Sequence, residues 1–401
     1  MILYAQHGAQ AGEKTQAGLN AGVIGGVIYG AKDISPERLH EDLARLAAEH
    51  SSASRLLDPH YAAALKATEP GARLGNLVGD RAHGYFQPRV RRDLERSSNV
   101  EDDLRACLRY QDGLSLTGLI APNIVIRRSL DSIEAVVSKN FIRQAAAIAR
   151  EVAPGRPVFA TLAISQSALG DRAELSGFLQ EITELEDPPA GFYLLLEKAD
   201  AMPPPSLVET GALARWMLIA HTLKISGFQV IHGYSDLLAP YLAATGADAA
   251  ACGWFGTLKN FSLAKFAAAR KGGQPAVARY TSVGLMKSIR HNELHSMRDL
   301  IPGVLNGLKG DELYPVDQGS TPSTIGEAVQ NWEAVGAMIA RCQLPTVAAS
   351  ITACQHALDS AEALYAEIAM TVPQRLDERS NFSHIPAIRA ELNEFAELAE
   401  L

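Results

Sequence analysis

The sequence predicts an α/β protein in which eight parallel strands close into a (β/α)8 barrel. Short apolar runs alternate with longer amphipathic segments eight times in succession along the first part of the chain. Most of these runs are continuously apolar, which is typical of parallel strands buried on both faces. The eight units span roughly 270 residues, the size expected for such a barrel with one insertion.

The predicted elements follow one another in a regular order. The helix that follows the second strand has the clearest start signal, because Ser35 suits the N-cap position and Pro36 suits the first helical position. Its helical spacing continues to Ala48. The predicted strands cover residues 2–5, 23–29, 55–57, 114–119, 157–164, 192–196, 228–231 and 247–252. Further helices are predicted over residues 133–152, 172–185, 207–225, 237–245 and 262–270.

Two segments depart from this rhythm. Residues 61–112 form a long insertion in the connection after the third strand, with a predicted helix over residues 100–110, and loops of this length are usually functional or mobile. We therefore assign the barrel to residues 1–60 and 113–272.

After the barrel, residues 273–322 are a connecting segment and residues 323–401 a C-terminal all-helical appendage. Apolar residues in the appendage step by three and four through two long stretches, and a last helix covers residues 387–401. The appendage is expected either to pack over the barrel or to build an oligomer interface.

A doubly wound open sheet is the alternative architecture. It would require a glycine-rich GxGxxG turn after the first strand, and the segment QHGAQAG at residues 6–12 does not supply one. Over about residues 1–272 the chain resembles the TIM-type barrel fold, without a motif of any particular family. That resemblance implies a site at the C-terminal ends of the strands, but it implies no particular activity.

Composition limits the class of protein. The 401 residues are 47% hydrophobic and 20% charged, and a chain of this length can bury a core without a disulfide or a metal. No two of the four cysteines form a CxxC pair, which argues against a zinc knuckle or a secreted disulfide framework. The cysteines are Cys107, Cys252, Cys342 and Cys354.

The spread cysteines fit a reducing cytoplasm, so we predict a cytoplasmic protein, and charge and hydropathy limit its partners. The net charge of −8 argues against an extended nucleic-acid-binding surface. The start, MILYAQHGAQ, has no basic leader before an apolar stretch, so we expect no signal peptide. No uncharged apolar run is long enough to span a membrane, so no membrane partner is expected.

Polar side chains follow almost every predicted strand, where a barrel of this type carries its site. Some, such as Asp33, are explained as helix caps. These rim residues are Gln6, His7, Lys32, Asp33, Asp58, His60, Asn123, Ser165, Gln166, Glu197, Lys198, His232, Tyr234, Trp254 and Lys259.

Five rim residues are candidate catalytic groups. Asp58 and Glu197 lie on opposite strands and could act as an acid and a base, or could each pair with a neighbouring cation. Lys198 could be a Schiff-base nucleophile, or could form an ion pair with its neighbour Glu197. His7 and His232 could carry protons or bind a metal ion.

A divalent metal cofactor is conceivable but has no ligand set in the sequence. His7, His232, Asp58 and His60 could surround an ion, yet the HxH of amidohydrolase-like barrels is replaced by Gln6-His7. His291 and His295 have helical ligand spacing, but the simpler interpretation is a solvated helix face. We assign no metal ligands.

A further set of residues is predicted to bind an anionic ligand. Backbone amides of the turn bracketed by Gly253 and Gly256 could face the anion, with Trp254 as a wall and Lys259 adding charge. Arg89 and Arg91 of the insertion could clamp a phosphate, or could pair with the acidic residues that follow. The predicted ligand-binding residues are Gln6, Asn123, Tyr234, Gly253, Trp254, Gly256, Lys259, Arg89 and Arg91.

Two functions are compatible with these features. The first is a barrel enzyme of the lyase or hydrolase/glycosyl-transfer type acting on an anionic ligand, with phosphorylated or nucleotide-like compounds as candidates. The second is a non-catalytic barrel that serves as a binding or assembly subunit, in which residues 323–401 contact a protein partner or a second copy of the chain. The absence of a complete catalytic signature keeps the second open.

Overall fold

A computed structural model describes residues 1–9, 12–199, 204, 206–268, 277–317, 319–373 and 375–401. Within these residues, nine strand segments form one parallel sheet. They are β1 (Ile2–His7), β2 (Gly26–Gly30), β3 (Ser54–Asp58), β4 (Leu119–Ile120), β5 (Val125–Ile126), β6 (Val158–Ser165), β7 (Gly191–Glu197), β8 (Gln229–His232) and β9 (Ala249–Cys252).

The sheet curls into a nearly closed barrel. Its order is β3-β2-β1-β9-β8-β7-β6-β4, with β5 also paired to β6, so β4 and β5 are two halves of one strand position. Between β3 and β4 the backbone N–H of Thr117 donates to the Arg55 carbonyl at 2.9 Å, and the Arg55 N–H donates to Thr117 Oγ1 at 2.9 Å. The predicted TIM-type parallel barrel is therefore confirmed.

Helices surround the barrel and follow it in sequence. The insertion after β3 contains two of them, α3 and α4, and the C-terminal part of the chain is helical as predicted. The helices are α1 (Glu13–Asn20), α2 (Pro36–Glu49), α3 (Arg91–Leu94), α4 (Ser97–Asp112), α5 (Ile133–Val152), α6 (Arg172–Thr183), α7 (Ala212–Ile225), α8 (Ala239–Ala243), α9 (Gly256–Lys259), α10 (His291–Met297), α11 (Thr324–Cys342), α12 (Val347–Thr371) and α13 (His384–Leu398).

The fourth strand lies later in the chain than predicted and is interrupted. Between its halves, the buried Asn123 side chain donates to the Thr161 carbonyl at 2.7 Å and to Ser138 Oγ at 2.9 Å. This amide takes a carbonyl of β6 that a continuous strand would bond through its backbone, so the ladder breaks there.

The segment after β9 is not the helix predicted over residues 262–270. Its described part contains a short 3-10 turn, Leu263–Phe266, while Ala269 and Arg270 lie outside the described residues. The Lys198 N–H donates to the Phe261 carbonyl at 2.9 Å, and the Arg73 N–H donates to the Phe266 carbonyl at 2.8 Å. The segment is thus held across the mouth of the barrel, and its apolar side chains are buried there.

The helical region after residue 323 packs along the flank of the barrel. Helix α11 contacts α1 and α8, and α13 lies along α7. The buried carboxylate of Glu391 on α13 accepts the N–H of Ala214 at 2.8 Å and that of Gly211, satisfying the first turn of α7. An additional oligomer interface through residues 323–401 stays a prediction.

The connecting segment contains structure that the sequence pattern did not reveal. Strands β10 (Arg279–Ser282) and β11 (Lys287–Arg290) form an antiparallel hairpin next to the barrel. The side chain of Gln330 on α11 bonds both the N–H and the carbonyl of Thr281, so the hairpin is fixed to the helical region. In the described part of the chain, no helix is both long and apolar enough to cross a membrane.

Candidate functional site

A buried polar network lies in the barrel mouth around Asp58, at the end of β3. Asp58 Oδ1 accepts the N–H of His60 at 2.8 Å, and Oδ2 accepts the hydroxyls of Tyr234 at 3.1 Å and Tyr193 at 3.3 Å. Because Tyr193 comes from β7, three strand positions from β3 around the barrel, this contact spans the lumen. The His60 Nε2 and Lys265 Nζ atoms lie 2.8 Å and 3.0 Å from the Tyr234 hydroxyl, completing the network.

Two members of this network hold unusual backbone conformations. His60 and Tyr234 each have a φ of 52°, in the left-handed region that non-glycine residues rarely occupy. Such strain persists where surrounding structure fixes it, and it is concentrated at functional sites. The two residues face each other across the network, so both strained positions direct a side chain at Asp58.

Burial dominates the electrostatics of the network. Desolvation raises the pKa of Asp58, although Lys265 and the hydrogen bonds from His60, Tyr234 and Tyr193 oppose that rise. Desolvation lowers the pKa of His60 well below its usual value and lowers the pKa of Lys265 to about 8, with Asp58 raising the latter. A carboxyl and an amine whose pKa values are both displaced toward neutrality are suited to proton transfer near pH 7.

Gln6 and Gln166 add polar groups that have no well-formed partner. Gln6 is completely buried, and among the described residues neither its amide nitrogen nor its amide oxygen makes a hydrogen bond of standard geometry, although its amide is close enough to the Tyr193 hydroxyl to lower the pKa of that tyrosine. The amide nitrogen of Gln166, after β6, likewise has no partner among the residues that the structure describes. Buried amides normally bond protein, water or ligand, so these two indicate a place for a ligand or ordered water.

Glu197 ends β7 on the same face as Tyr193, because alternate residues of a strand share a face. Its carboxylate is buried, and Arg127 Nη2 lies 4.0 Å away. Among the described residues it shares no hydrogen-bond partner with Asp58. The role of the two carboxylates as a catalytic pair stays a prediction.

Lys198 is buried beside the mouth with one neutral acceptor. Its Nζ donates to the Leu207 carbonyl at 3.1 Å, and burial lowers its pKa to about 8, while Asp236 and Glu209 act in the opposite direction. Folding therefore favours the uncharged amine. The stability from this group is complete above its unfolded pKa and is lost as the pH falls through about 8.

Lys198→Met is therefore expected to be more stable than the wild type at pH 7, by about 1–3 kcal/mol. The advantage should shrink toward pH 9.5, where the wild-type amine is uncharged in the fold. Urea unfolding at four pH values measures this difference. Lys198→Arg is the matched control, because its cation does not titrate and should destabilise the protein at every pH. A stability gain of Lys198→Met that is the same at all four pH values would contradict the prediction.

A second polar group connects the end of β9 to the helical region. Cys252 Sγ lies 3.1 Å from Asp236 Oδ1, and Asn331 Nδ2 donates to that sulfur at 3.2 Å. Lys259 Nζ lies 3.3 Å from Asp236 Oδ1 and donates to Asn331 Oδ1 at 3.0 Å. The Lys259 charge is thus already paired, which gives this lysine a structural role beside any contact with an anion.

His7 and Trp254 belong to a third group, on the outer side of β1. The His7 ring lies 4.6 Å from that of Tyr29 and 5.6 Å from that of Trp254, and Lys14 Nζ lies 5.5 Å from the Trp254 ring. Within the described part of the chain neither His7 ring nitrogen has a hydrogen-bond partner, and burial lowers the His7 pKa to about 3. A neutral His7 in an aromatic setting is suited to packing more than to proton transfer at neutral pH.

Two further predicted residues point away from the lumen. His232 faces α7, with its ring 6.2 Å from that of Trp216, and burial lowers its pKa to about 3. Asn123 is occupied by the bonds that interrupt the fourth strand. Neither is placed where it could meet a ligand bound at Asp58.

The arginines and glycines also have local explanations. Arg89 makes two bonds, of 2.7 Å and 2.9 Å, to the Asp103 carboxylate, which also accepts the Tyr61 hydroxyl. Arg91 is exposed and lies 3.5 Å from Glu95.

The turn after β9 is tightly packed. Gly253 packs so closely on Leu258 that a side chain there would collide with it. Gly256 opens the single-turn helix α9, which has no side-chain cap bond at its start. Binding of an anion by this turn or by the arginines stays a prediction.

Among the described residues, no three histidine, cysteine, aspartate or glutamate side chains are grouped so that they could hold a metal ion. His291 and His295 do meet, with their Nε2 atoms 3.0 Å apart on α10, but without a third ligand.

Sequence reasoning missed Tyr193 and Lys265. Tyr193 lies inside β7, where only the alternation of strand residues could have placed it on the lumen face beside Asp58. Lys265 was assigned to a helix outside the barrel, and its segment instead crosses the mouth. Nothing in the local sequence signals that crossing.

No family model matches the sequence, and no curated protein matches it. A glycosyl hydrolase of the GH3 family from Mycobacterium smegmatis aligns with a TM-score of 0.38 and 14% identity, covering 83% of this chain and 94% of that one. L-talarate dehydratase from Polaromonas sp. JS666 aligns with a TM-score of 0.31 and 16% identity, covering 65% of this chain and 54% of that one. An exo-β-1,4-mannosidase from Opitutaceae bacterium strain TAV5 aligns with a TM-score of 0.32 and 12% identity, covering 63% of this chain and 52% of that one. At these scores the fold assignment rests on strand order and register alone.

Proposed function

We propose that the protein is an enzyme of the lyase or hydrolase/glycosyl-transfer type that acts on a small anionic ligand in the mouth of the barrel. The observation that carries this proposal is the lumen-spanning network around Asp58. Its carboxylate meets Tyr193 and Tyr234 and lies beside His60 and Lys265. The same C-terminal face carries the active site in barrels of this type.

Asp58 supplies the proton transfer in this proposal. Burial raises its pKa toward the working pH, where a carboxyl group can both accept and return a proton. Tyr234 connects Asp58 to His60 and Lys265, so a proton can pass between the carboxylate and the amine through one hydroxyl. Addition–elimination and hydrolysis both require such a reversible proton carrier.

The ligand is proposed to be anionic because of Lys198. Its pKa of about 8 leaves the group mainly as an ammonium at pH 7, with three N–H donors, and among the described residues its acceptor is the neutral Leu207 carbonyl. An anionic group of the ligand, including the phosphate of a phosphorylated or nucleotide-like compound, would supply acceptors for the others. Gln6 would bond a neutral part of the same ligand through its buried amide, which makes no hydrogen bond of standard geometry to the described residues.

One observation favours the second function, a non-catalytic barrel used as a binding or assembly subunit. The segment through Phe261 and Phe266 covers the mouth, and Asp58, His60 and Tyr234 are each less than 5% exposed. A ligand therefore reaches Asp58, His60 and Tyr234 only if this cover moves, whereas Lys265, which lies on the cover, is partly exposed. In the second function, the network would instead hold the cover in place through Lys265.

Removal of single hydroxyls tests the proposal. The wild type is first screened by proton NMR for turnover of phosphorylated sugars, sugar acids, nucleotides and glycosides. Tyr234→Phe and Tyr193→Phe each remove one donor to Asp58 Oδ2 and should shift the acid limb of the kcat/KM profile to higher pH, because those bonds lower the Asp58 pKa. Tyr234→Phe should also lower kcat by about ten- to a hundredfold, since it breaks the link to Lys265.

Tyr29→Phe is the matched control, because this buried tyrosine faces α2 outside the lumen. It should leave the pH profile unchanged. A screen without turnover, combined with Tyr→Phe variants in the mouth that alter only thermal stability, would favour the non-catalytic function. Equal effects of all three variants on the pH profile would also contradict the assignment of Asp58.

A further inference from the structure

The hydrogen bonds around Lys265 are complete only when its amine is uncharged. The backbone N–H of Lys32 donates to His60 Nδ1 at 3.1 Å, so this ring nitrogen carries no proton. A neutral imidazole then has its proton on Nε2. Because desolvation holds the His60 pKa well below its usual value, the neutral form is the one present.

Lys265 Nζ lies 2.8 Å from that protonated His60 Nε2. An ammonium group there would place donor against donor, since it has no lone pair to accept the imidazole proton. An uncharged amine can accept the imidazole proton and can donate to the Tyr234 hydroxyl at 3.0 Å. The Tyr234 hydroxyl then donates to Asp58 Oδ2 at 3.1 Å. The His60 Nε2–H, one amine N–H and the Tyr234 hydroxyl then each have an acceptor, and the second amine N–H is left for a ligand.

We propose that Lys265 is a nucleophilic amine that forms an imine with a carbonyl-bearing ligand in the mouth of the barrel. This rests on the proposed function and deepens it by naming the substrate class, a small ketone or aldehyde that also carries an anionic group. Lys265 is also enclosed by rings, with Nζ 4.4 Å from the ring centroid of Tyr234, 5.1 Å from that of Phe266 and 5.5 Å from that of Phe261. Lysines in such desolvated positions serve as Schiff-base nucleophiles.

The step balances with the groups present. The lone pair of Lys265 Nζ leaves the His60 N–H, forms the bond to the carbonyl carbon, and displaces the π electron pair onto oxygen. The freed His60 N–H is then next to that oxygen, and Tyr234 with Asp58 accepts a proton from nitrogen. Both amine protons finally leave with the carbonyl oxygen as water, and a C=N bond replaces the C=O bond.

Several charged groups set the fraction of reactive amine. Desolvation lowers the Lys265 pKa to about 8, and Lys32 adds to the lowering, while Asp58 and Asp33 raise it. The uncharged fraction should therefore increase about fivefold between pH 7 and pH 8. An ordinary lysine would be almost entirely charged at both values.

Reductive trapping tests the proposal on the full-length protein. Pyruvate or dihydroxyacetone phosphate is added with sodium cyanoborohydride at pH 7 and pH 8, and the adduct is located by peptide mass mapping. We expect one adduct per chain, at Lys265, at least tenfold above the mean of the other lysines, and about fivefold higher at pH 8. Lys265→Met should lose it, whereas Lys224→Met, which changes an ion-paired lysine on α7, should keep it.

The peptide mass map of the trapped wild-type protein shows whether Lys265 forms the imine, even where a variant fails to fold. Absence of an adduct at Lys265 with both ketones at pH 8, or labelling no stronger than at the other lysines, would overturn the inference. Loss of turnover in Asp58→Asn together with an unlabelled Lys265 would leave the proposed function standing while the imine step falls. A Lys265 adduct in a protein whose Asp58→Asn variant keeps full turnover would support the nucleophile and remove Asp58 from the mechanism.

Discussion

Asp58→Asn is expected to lower turnover by about three orders of magnitude without lowering the stability of the protein at pH 8. Asparagine has nearly the same shape but cannot exchange a proton, and loss of a general acid–base group typically costs 10²- to 10⁴-fold, or roughly 3–5 kcal/mol of transition-state stabilisation. Loss of activity without loss of stability is what distinguishes a catalytic carboxylate from a structural one.

The fold should tolerate asparagine because the network can reverse its donors. In the wild type, Asp58 Oδ1 accepts the His60 N–H at 2.8 Å, and the amide oxygen of asparagine can accept the same bond. The amide nitrogen then donates to the hydroxyls of Tyr193 and Tyr234. The Tyr234 hydroxyl gives its own proton to the uncharged Lys265 Nζ, 3.0 Å away, while the His60 Nε2–H donates to the Tyr234 oxygen, 2.8 Å away. Asp58→Ala would instead leave both buried hydroxyls without this acceptor and should cost about 1–3 kcal/mol for each that stays unsatisfied.

The pH dependence has a definite sign. Burial raises the folded-state pKa of Asp58 above its unfolded value, so its contribution to stability is complete below the unfolded pKa and is lost as the pH rises through the folded pKa. The wild type should therefore lose stability relative to Asp58→Asn as the pH rises from 4 toward 8. Urea unfolding across that range measures the difference, and a variant that becomes less stable with rising pH, or that keeps wild-type turnover, would contradict the assignment.

The barrel could be predicted from the sequence because its strands are continuous apolar runs with helices between them. The long helix over residues 133–152 has the predicted bounds, since Ser132 caps it and its apolar face is regular. The fourth strand could not be placed, because its position depends on the bonds of Asn123 to Thr161 in another strand. The β10–β11 hairpin depends in the same way on Gln330, far along the chain.

The candidate site was predictable only in part, for a related reason. Asp58, His60 and Tyr234 follow strands, so topology alone places them at the mouth of the barrel. Tyr193 lies within a strand, and Lys265 lies in a segment whose path is set by its burial across the mouth. His232 follows a strand as well, yet the pleat turns it outward onto α7. Position after a strand therefore finds candidates, while side-chain direction selects among them.

Trp332 on α11 joins the helical region to the barrel. Its side chain is completely buried, and its indole N–H donates to the Cys252 carbonyl at the end of β9, at 2.8 Å. Its ring lies 6.1 Å from that of Trp254, and it packs so tightly on α1 that a Cβ at Gly18 would lie 2.8 Å from its ring carbon Cζ3. One side chain thus contacts a strand end, a loop and a helix of the barrel.

Trp332→Ala is expected to lower the free energy of unfolding by about 3–5 kcal/mol, since it removes a large buried side chain and leaves a cavity. Trp332→Phe keeps much of the side-chain volume but loses the hydrogen bond to Cys252, so its free energy of unfolding is expected to fall by about 1–3 kcal/mol. Ile325→Ala, at an exposed position of the same helix, is the control and should change the free energy of unfolding by less than about 1 kcal/mol.

Urea unfolding followed by tryptophan fluorescence and by circular dichroism measures these changes. If the barrel and the helical region unfold as one unit, both probes should give one coincident transition in the wild type and in each variant, with an unchanged m-value. An early loss of helix in Trp332→Ala, with the barrel transition unmoved, would show that the helical region contributes little to barrel stability. In that case the packing seen through Trp332 would be a docking contact between separately stable parts, and residues 323–401 would be better placed to serve as an interface.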